Sequence, residues 1–308
     1  MDFSVFLPVA NNAVNVFVLL GLGGGVGFLS GLFGVGGGFL MTPLLIMIGV
    51  PPTVAAASDS NQIVAASTSG TFIHARARCV DFKMGTLLFL GGIVGGTIGV
   101  YLIKVLREVG EADFLINVTY VLMLGGIGSY MFLESLEGLR GRRRTAAPPE
   151  KPSIYSRMAR ALPWRMEFPR SGITLSPVTP LALGTLVGIL AAIMGVGGGF
   201  IMVPVMVYLL RMPMHVVVGT SLFQVLFTCV HVTILQSALN QTVDVVLALL
   251  LLLGSVIGVQ AGARMSRRLN ADQLKILMAV VVLAVMAKML LGLLVTPSAL
   301  VSYGGGHG

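Results

Sequence analysis

The ten residues GVGGGFLMTP at positions 34–43 return as GVGGGFIMVP at positions 195–204, an offset of 161 residues in a chain of 308. Three adjacent glycines followed by a proline disfavour a continuous helix, because glycine is conformationally free and proline lacks an amide hydrogen. Within a bilayer, unwound backbone is tolerated only where protein buries it or where it lines a cavity. Paired breaks at matching positions of two halves are the best sequence pointer to the binding site of a transporter. We therefore expect the functional site at these two strings.

The composition is that of a membrane protein. Apolar residues make up 56% of the chain and charged residues 10%, and the mean hydropathy is +0.94. A soluble domain usually carries about 25% charged residues. The two cysteines, Cys79 and Cys229, give no disulfide framework, and we expect two free thiols. The chain is therefore expected to cross a bilayer several times.

Apolar segments long enough to enter or cross a bilayer recur along the whole chain. They fall at 13–33, 37–50, 54–74, 84–103 and 114–134, and again at 178–194, 198–211, 214–237, 243–262 and 272–295. The later parts of the halves also match, since GGTIGV at 95–100 resembles GSVIGV at 254–259, an offset of 159. We divide the chain into an N-terminal transmembrane repeat (1–136), a basic cytoplasmic linker (137–177) and a C-terminal transmembrane repeat (178–308).

Charge placement indicates the topology. The linker contains nine basic and three acidic residues, so the positive-inside rule puts it in the cytoplasm. If each glycine-broken pair were one straight span, the halves would point the same way and the group Arg264–Arg268 would lie outside. If each pair turns back as a hairpin, the halves are inverted, every basic loop lies inside and both termini lie outside. The predicted fold is therefore all-α, a polytopic membrane protein with two inverted repeats, each a glycine-broken hairpin plus three transmembrane helices.

The second limb of each hairpin, 37–50 or 198–211, is short for a span. About 14 residues at about 1.5 Å each give about 20 Å, against about 30 Å for the hydrocarbon core. Such half-helices begin with amide N–H groups that have no partner within the helix, and with the helix dipole these form an anion site. The predicted anion-binding residues are Gly36, Gly37, Gly38, Phe39, Gly197, Gly198, Gly199 and Phe200. A role in close helix packing alone is the alternative, and it is preferred for Gly91, Gly92, Gly95, Gly96 and Gly99.

The doubled G-x-G-G-G-F-x-x-x-P element, followed by Pro213 and by GTS at 219–221, resembles the TauE/SafE family of bacterial sulfite and organosulfonate exporters. The resemblance covers nearly the whole chain outside the linker. It implies a multi-pass carrier of the bacterial inner membrane that exports small sulfur oxyanions, either sulfite or organosulfonates such as sulfoacetate. The halves differ in one place, since SDSN at 58–61 stands where the second half has GTSL at 219–222. The two half-sites are therefore expected to be chemically unequal.

Ionisable residues within membrane spans are costly and are functional candidates. Asp59, beside the predicted anion site, and His231, deep in the segment 214–237, are candidates for proton coupling, each with a structural role as its alternative. A carboxylate beside the site repels an anion unless it is protonated. Uncharged polar groups that follow the half-helices can donate hydrogen bonds to the anion, although such groups also tie helices together. The predicted donors are Ser60, Asn61, Gln62, Thr220, Ser221 and Gln224.

Other function classes have less support in the sequence. There is no Gly-Lys-Ser/Thr loop for ATP and no Cys/His spacing for a metal, so we expect no cofactor and no enzymatic activity. An intramembrane serine protease using Ser69 and His231 is a weaker alternative. A passive anion channel stays open, because the sequence does not separate a channel from a coupled carrier. The expected partners are a small sulfur-containing anion and the lipid bilayer, with a homo-oligomer left open and no nucleic acid.

Overall fold

The computed structural model describes residues 4–33, 38–139, 166–210, 212–266 and 271–294. These residues form ten α-helices, two antiparallel hairpins and two single turns of π-helix. The helices are α1 (Val16–Phe33), α2 (Gly38–Met47), α3 (Pro52–Arg76), α4 (Phe82–Val109), α5 (Ala112–Leu139), α6 (Val178–Met194), α7 (Gly199–Pro204), α8 (Met214–Leu235), α9 (Val245–Ser266) and α10 (Ala271–Leu294). The strands are β1 (Ser4–Leu7) with β2 (Asn12–Asn15), and β3 (Met166–Phe168) with β4 (Ile173–Leu175). The π-helical turns Val205–Leu209 and Gln236–Asn240 continue α7 and α8.

Each predicted apolar segment corresponds to a helix or to a helix with its π-helical turn. Among the described residues, four stretches are long and apolar enough to cross a membrane: Phe82–Val109, Ala112–Tyr130, Val216–Asn240 and Val245–Gly262. The structure therefore agrees with an all-α, multi-pass membrane protein. The helices α2 and α7 have 10 and 6 residues. At about 1.5 Å per residue neither crosses a core of about 30 Å, as expected of half-helices.

The helices of one half pack against those of the other in a reciprocal pattern. α1 packs against α9 and α4 against α6, while α3 packs against α8 and α5 against α10. Within each half of five helices, the first therefore meets the fourth of the other half, the third meets the third, and the fifth meets the fifth. Exchange of the two halves leaves this pattern unchanged, as it does for repeats related by a two-fold axis.

The equivalent helices that touch run antiparallel. In the pair α3–α8, Gly70 lies against Leu222, whereas Ile63, seven residues earlier, lies in a cluster with Cys229, seven residues later. α5 and α10 are antiparallel by the same kind of contact.

Glycines let α4 approach α6, and α1 approach α9, until backbones touch. A Cβ at Gly91 would lie 2.2 Å from the carbonyl oxygen of Leu181, and one at Gly254 would lie 2.4 Å from that of Leu20. The predicted packing role is confirmed, because a Cβ at each of the five glycines would come within 3.1 Å of an atom of a neighbouring helix. These positions are Gly91, Gly92, Gly95, Gly96 and Gly99.

The same contacts correct the predicted register between the halves. Gly91 contacts Leu181, and Gly254 contacts Leu20. Because Leu20 and Leu181 are 161 residues apart and so correspond to each other, Gly91 corresponds to Gly254, at an offset of 163 instead of the predicted 159. The error is one helical turn. Small residues recur about every fourth position along both helices, so the two sequences match nearly as well after a shift of four residues.

The two ends of the bundle are called the first face and the second face below. The first face carries the β1–β2 hairpin and the connections α2–α3, α4–α5 and α8–α9, and there Asn12 Nδ2 donates to the carbonyl of Gly49 at 3.3 Å. The second face carries the β3–β4 hairpin and the connections α3–α4 and α7–α8, and there Lys83 Nζ donates to the carbonyl of Glu167 at 3.2 Å. Because Asn12 precedes α1 and Gly49 follows α2, α1 begins at the face where α2 ends.

Candidate functional site

The two glycine strings come together through their phenylalanines. Phe39 and Phe200 are stacked with ring centroids 4.3 Å apart and an interplanar angle of 10°, and both rings are buried. Each stands one residue after the first glycine of a half-helix, Gly38 in α2 and Gly199 in α7. The predicted site residues Gly36 and Gly37 lie outside the described residues. The predicted half-helices thus begin next to each other between the two halves.

The second glycine turn requires glycine because of its backbone conformation and because neighbouring atoms leave no room for a Cβ. Gly195, Gly197 and Gly198 have φ values of +71°, +66° and +77°, in the left-handed region that side chains disfavour. A Cβ would lie 2.0 Å from the carbonyl oxygen of Ala56 at Gly195, and 2.3 Å from Cys229 Sγ at Gly197. The turn is therefore packed tightly on the side where a Cβ would point, and only its backbone groups remain to contact a ligand.

Two hydroxyl groups hold this turn in place. Ser60 Oγ, on α3, donates to the carbonyl of Gly195 at 3.1 Å. The buried hydroxyl of Tyr120, on α5, donates to the carbonyl of Met194. Helices of the first half therefore fix the broken helix of the second half, and Ser60 acts here as an anchor of the turn.

Asp59, on α3, lies beside the beginning of α2. Its side chain is fully buried, and its Oδ2 accepts a hydrogen bond from Thr42 Oγ1 at 3.0 Å. A Cβ on Gly38 would lie 3.4 Å from the same Oδ2, so the carboxyl group sits beside the first residue of the half-helix. Its Oδ1 has no hydrogen-bond partner among the described residues. A buried oxygen without a partner is costly, which makes this atom available to a proton or a ligand.

Gln62 and Gln224 are buried amides at equivalent positions of the two halves. They are 162 residues apart, as are Ser58 and Thr220, whose hydroxyl oxygens each accept a backbone N–H from the other half. Gln224 Nε2 donates to Thr228 Oγ1 at 2.9 Å. The Oε1 atoms of both glutamines are buried and have no partner among the described residues. Asp59, Gln62 and Gln224 are thus the predicted site residues whose side chains have a buried oxygen without a partner among the described residues.

Other predicted site residues already have protein partners. Asn61 Nδ2 and Ser221 Oγ donate to carbonyls within their own helices. Thr220 Oγ1 accepts the backbone N–H of Asp81 at 3.0 Å. His231 Nε2 lies 3.0 Å from Thr97 Oγ1, a contact between α8 and α4. The side chain of Ser69, which the protease alternative requires, lies outside the described residues.

Several residues near these elements were not predicted from the sequence. Thr42 lies inside the first repeated string, but its bond to Asp59 depends on the packing of α2 on α3. Asp81 and Asp244 each precede a long apolar helix and accept an N–H of its first turn, a capping signal that the sequence does carry. Among the described residues, no group of three or more His, Cys, Asp or Glu side chains could hold a metal ion.

Comparison with known proteins gives consistent results over most of the chain. A sequence profile of the family described as sulfite exporter TauE/SafE matches residues 19–289. The chain is 29% identical to the probable membrane transporter protein YjnA of Bacillus subtilis, over 86% of this chain and 95% of YjnA. It is 27% identical to the probable membrane transporter protein YunE of the same organism, over 92% of this chain and 96% of YunE.

A shorter match links the chain to a plant protein. Over 32% of this chain and 22% of that protein, it is 30% identical to sulfite exporter TauE/SafE family protein 1 of Arabidopsis thaliana. No solved structure matches the chain. On the profile match over most of its length, this chain belongs to the sulfite exporter TauE/SafE family of membrane transporters.

Proposed function

We propose that this protein is a secondary transporter that exports a small sulfur oxyanion, sulfite or an organosulfonate such as sulfoacetate, across the bacterial inner membrane. The observation that carries the proposal is the meeting of the two half-helix starts at the Phe39–Phe200 stack, beside the buried carboxyl group of Asp59. The family description and the names of the plant relatives support a sulfur oxyanion. The family model and the relatives support a transporter.

The proposed binding site attracts the anion through backbone N–H groups rather than through charged side chains. The N-terminus of α2 presents unpaired N–H groups and the positive end of a helix dipole, both of which attract an anion. In the second half, α7 begins directly after the left-handed residues Gly197 and Gly198, and the first N–H groups of α7 likewise have no partner within the helix. The amides of Gln62 and Gln224 can donate further hydrogen bonds to the oxygens of the anion.

A binding measurement on glutamine variants tests this site. We expect Gln62→Met and Gln224→Met each to weaken binding of sulfite or a sulfonate by about tenfold to 100-fold, the usual effect of losing a hydrogen bond to a charged group. Gln62→Met should leave the melting temperature unchanged, because Gln62 Oε1 has no partner among the described residues. Gln224→Met also removes the bond from Gln224 Nε2 to Thr228 Oγ1, so it should lower the melting temperature slightly. Isothermal titration of the purified protein measures the affinity, and its thermal unfolding measures the stability.

Gln260→Met is the matched control, since Gln260 is exposed on α9. It should bind the anion as the wild type does. A carboxylate such as acetate serves as the control ligand, and it should bind more weakly than the sulfur oxyanions. Wild-type affinity in both buried glutamine variants would contradict the proposed site.

The orientation proposed for the membrane is that of two inverted repeats with the second face in the cytoplasm. The antiparallel contacts of α3 with α8 and of α5 with α10 support the inversion. Lys83, Arg76, Arg78 and Arg170 lie near the second face, and Glu111 and Asp113 lie at the first face. The positive-inside rule then places the second face inside and the first face outside.

Cysteine labelling tests this orientation with a matched pair of variants. In a Cys79→Ser background, Ser4→Cys at the first face should react with an impermeant maleimide applied to intact spheroplasts. Met265→Cys, at the second face, should react only in inside-out vesicles. Both side chains to be replaced are exposed. The arrangement with four straight spans per half predicts the reverse for both positions, so reversed labelling would overturn the inverted repeats.

Proton coupling through Asp59 belongs to the same proposal. The carboxyl group lies at the positive end of α2, where it occupies the surroundings that an anion would otherwise use. Protonation of Asp59 would remove a negative charge from the site and favour the anion, so that the two ligands bind together. His231 is the second candidate, and its contact with Thr97 places it between α4 and α8.

A further inference from the structure

A buried aspartate joins the two halves at the second face. Asp81, in the α3–α4 connection, is 2% exposed. Its Oδ1 accepts the N–H of Met84 at 3.1 Å, which caps α4. Its Oδ2 accepts both the N–H and the Oγ–H of Ser171, in the turn of the β3–β4 hairpin, at 3.2 and 2.6 Å. Its own N–H donates to Thr220 Oγ1 on α8 at 3.0 Å. We call this set the second-face clasp.

A second buried aspartate does the same at the first face. Asp244, in the α8–α9 connection, is fully buried. Its Oδ1 accepts the N–H of Leu247 at 3.1 Å, which caps α9, and its Oδ2 accepts the N–H of Val9, in the turn of the β1–β2 hairpin, at 3.1 Å. Its own N–H donates to Ser58 Oγ on α3 at 2.9 Å. We call this set the first-face clasp.

The two clasps are copies of each other. Each aspartate belongs to one half, and it holds the third helix of the other half and the hairpin that precedes the first helix of that half. Each clasp also reaches the predicted site positions, because Ser58 directly precedes Asp59 and Thr220 is itself a predicted site residue. Opening a clasp therefore separates the halves at one face only and frees a helix that carries site residues.

The chemistry of the clasps favours two discrete states. A carboxylate that accepts several N–H or O–H bonds is held strongly, since hydrogen bonds to charged groups are about twice as strong as neutral ones. A buried carboxylate that has lost those donors is costly unless water reaches it. A clasp is thus either fully bonded and dry, or released and hydrated. Both clasps are closed here, and Asp59 and Cys229 between them are buried.

We propose that the two clasps are the latches of opposite gates, and that alternating access proceeds by releasing one clasp while the other stays closed. Asp81 holds the gate of the second face and Asp244 holds the gate of the first face. Inverted repeats open alternately to the two sides by movement of one repeat against the other, and the clasps are bonds that such a movement has to break. This inference rests on the transport role proposed above and not on the identity of the substrate.

The native thiol of Cys229 reports which gate is open. Cys229 is 1% exposed, lies near the middle of α8 and faces Gly197 of the second glycine turn. In a Cys79→Ser background it is the single thiol of the chain. We expect Asp81→Asn to raise the rate of its reaction with an impermeant maleimide at least about tenfold when the reagent is applied at the second face, with no change from the first face. Asp244→Asn should do the reverse. Asparagine keeps the size of the side chain but replaces one acceptor oxygen by a donor NH₂.

Asp113→Asn is the matched control. Asp113 Oδ1 accepts the N–H of Thr53 at 3.2 Å, a similar bond that joins two helices within one half. It should leave Cys229 unreactive from both faces. The milder variants Ser171→Ala and Ser58→Ala each remove one hydroxyl of one clasp, and they should give the same directional change if the aspartate variants fold poorly.

The outcomes separate a gate from a merely structural contact. Reaction from one face only, and from opposite faces for the two aspartates, supports the latches. Reaction from both faces in either variant, from the same face in both variants, or from neither face in all four variants would overturn them. Because labelling requires no substrate, a failure to bind or carry sulfur oxyanions would leave this result standing, and the two proposals can fail separately.

Discussion

Replacing Gly195 by alanine is expected to abolish transport and to reduce the amount of folded protein sharply. The residue has a φ of +71°, which costs an alanine about 1–2 kcal/mol. Its Cβ would lie 2.0 Å from the carbonyl oxygen and 2.5 Å from the Cα of Ala56, both backbone atoms of α3. Since α3 cannot yield without moving Ser60, the bond from Ser60 Oγ to the Gly195 carbonyl would be lost too. Size-exclusion chromatography of the detergent extract measures folding, and uptake by proteoliposomes measures transport.

The control for this substitution is Gly172→Ala. Gly172 has a similar φ of +66°, in the β3–β4 turn, and nothing lies within 4 Å of a Cβ placed there. It therefore carries the backbone strain without the collision, and we expect folding and transport close to those of the wild type. If Gly195→Ala behaved as Gly172→Ala does, the contact between the second glycine turn and α3 would not be required.

The transmembrane organisation was predictable because it depends on local chemistry. The length and apolarity of the segments predicted the helices. The run of glycines with a following proline predicted the breaks after which α2 and α7 begin. The glycines spaced along α4 indicated close packing, and their contacts with α6 and α8 confirm it. A pattern that repeats every turn does not define its own register, however. The match between the halves was therefore placed one turn away from the correct position.

The hairpins and the clasps were not predicted, because their partners come from distant parts of the chain. The strands β1 to β4 have only three or four residues each and lie in stretches between apolar segments. Asp81 and Asp244 resemble ordinary helix caps in the sequence. Their bonds to Ser171 and Val9, 90 and 235 residues away, arise only from the packing of the two halves.

The sequence anticipated the surroundings of some predicted site residues and not those of others. Asp59 was expected beside the start of a half-helix and lies there, 3.4 Å from where a Cβ of Gly38 would be. Ser60 and Thr220 were expected to face the anion, yet their hydroxyls bond to Gly195 and Asp81. A hydroxyl in an apolar helix reads the same in sequence whether it binds a ligand or another helix, so only the contacts separate the two roles.

The proposed half-sites differ by one charge, and we propose that this difference couples the anion to a proton. With the offset of 162 that relates Gln62 to Gln224, Asp59 corresponds to Ser221, whose hydroxyl donates to a carbonyl of its own helix. Two unit negative charges about 5 Å apart repel by about 3 kcal/mol at an effective dielectric constant of about 20. That corresponds to about 100-fold in affinity. An ionised Asp59 would thus weaken anion binding by about this factor, and a protonated one would not.

We therefore expect Asp59→Asn to bind the anion tightly at every pH, whereas wild-type affinity falls as the pH rises and Asp59 ionises. Methanesulfonate is the suitable probe, because its own charge is constant over the range and any pH dependence then belongs to the protein. Titration calorimetry between pH 5 and pH 9 measures the affinity. Asp113→Asn should keep the wild-type dependence, since Asp113 caps α3 at the first face, away from the glycine turns.

The reversal potential of transport should depend on the pH difference in a way that distinguishes a proton-coupled carrier from a channel. A carrier that moves one divalent anion with one proton transfers one net negative charge. A membrane potential that is negative inside still drives efflux, by about 2.3 kcal/mol per 100 mV. Its reversal potential should shift by about 59 mV per unit of pH difference for one proton against one net charge. In Asp59→Asn this shift should vanish while anion flux continues. A wild-type reversal potential that does not change with the pH difference would indicate a passive channel. An Asp59→Asn protein that keeps the full shift would assign the coupling to another residue, and His231 would be the next to test.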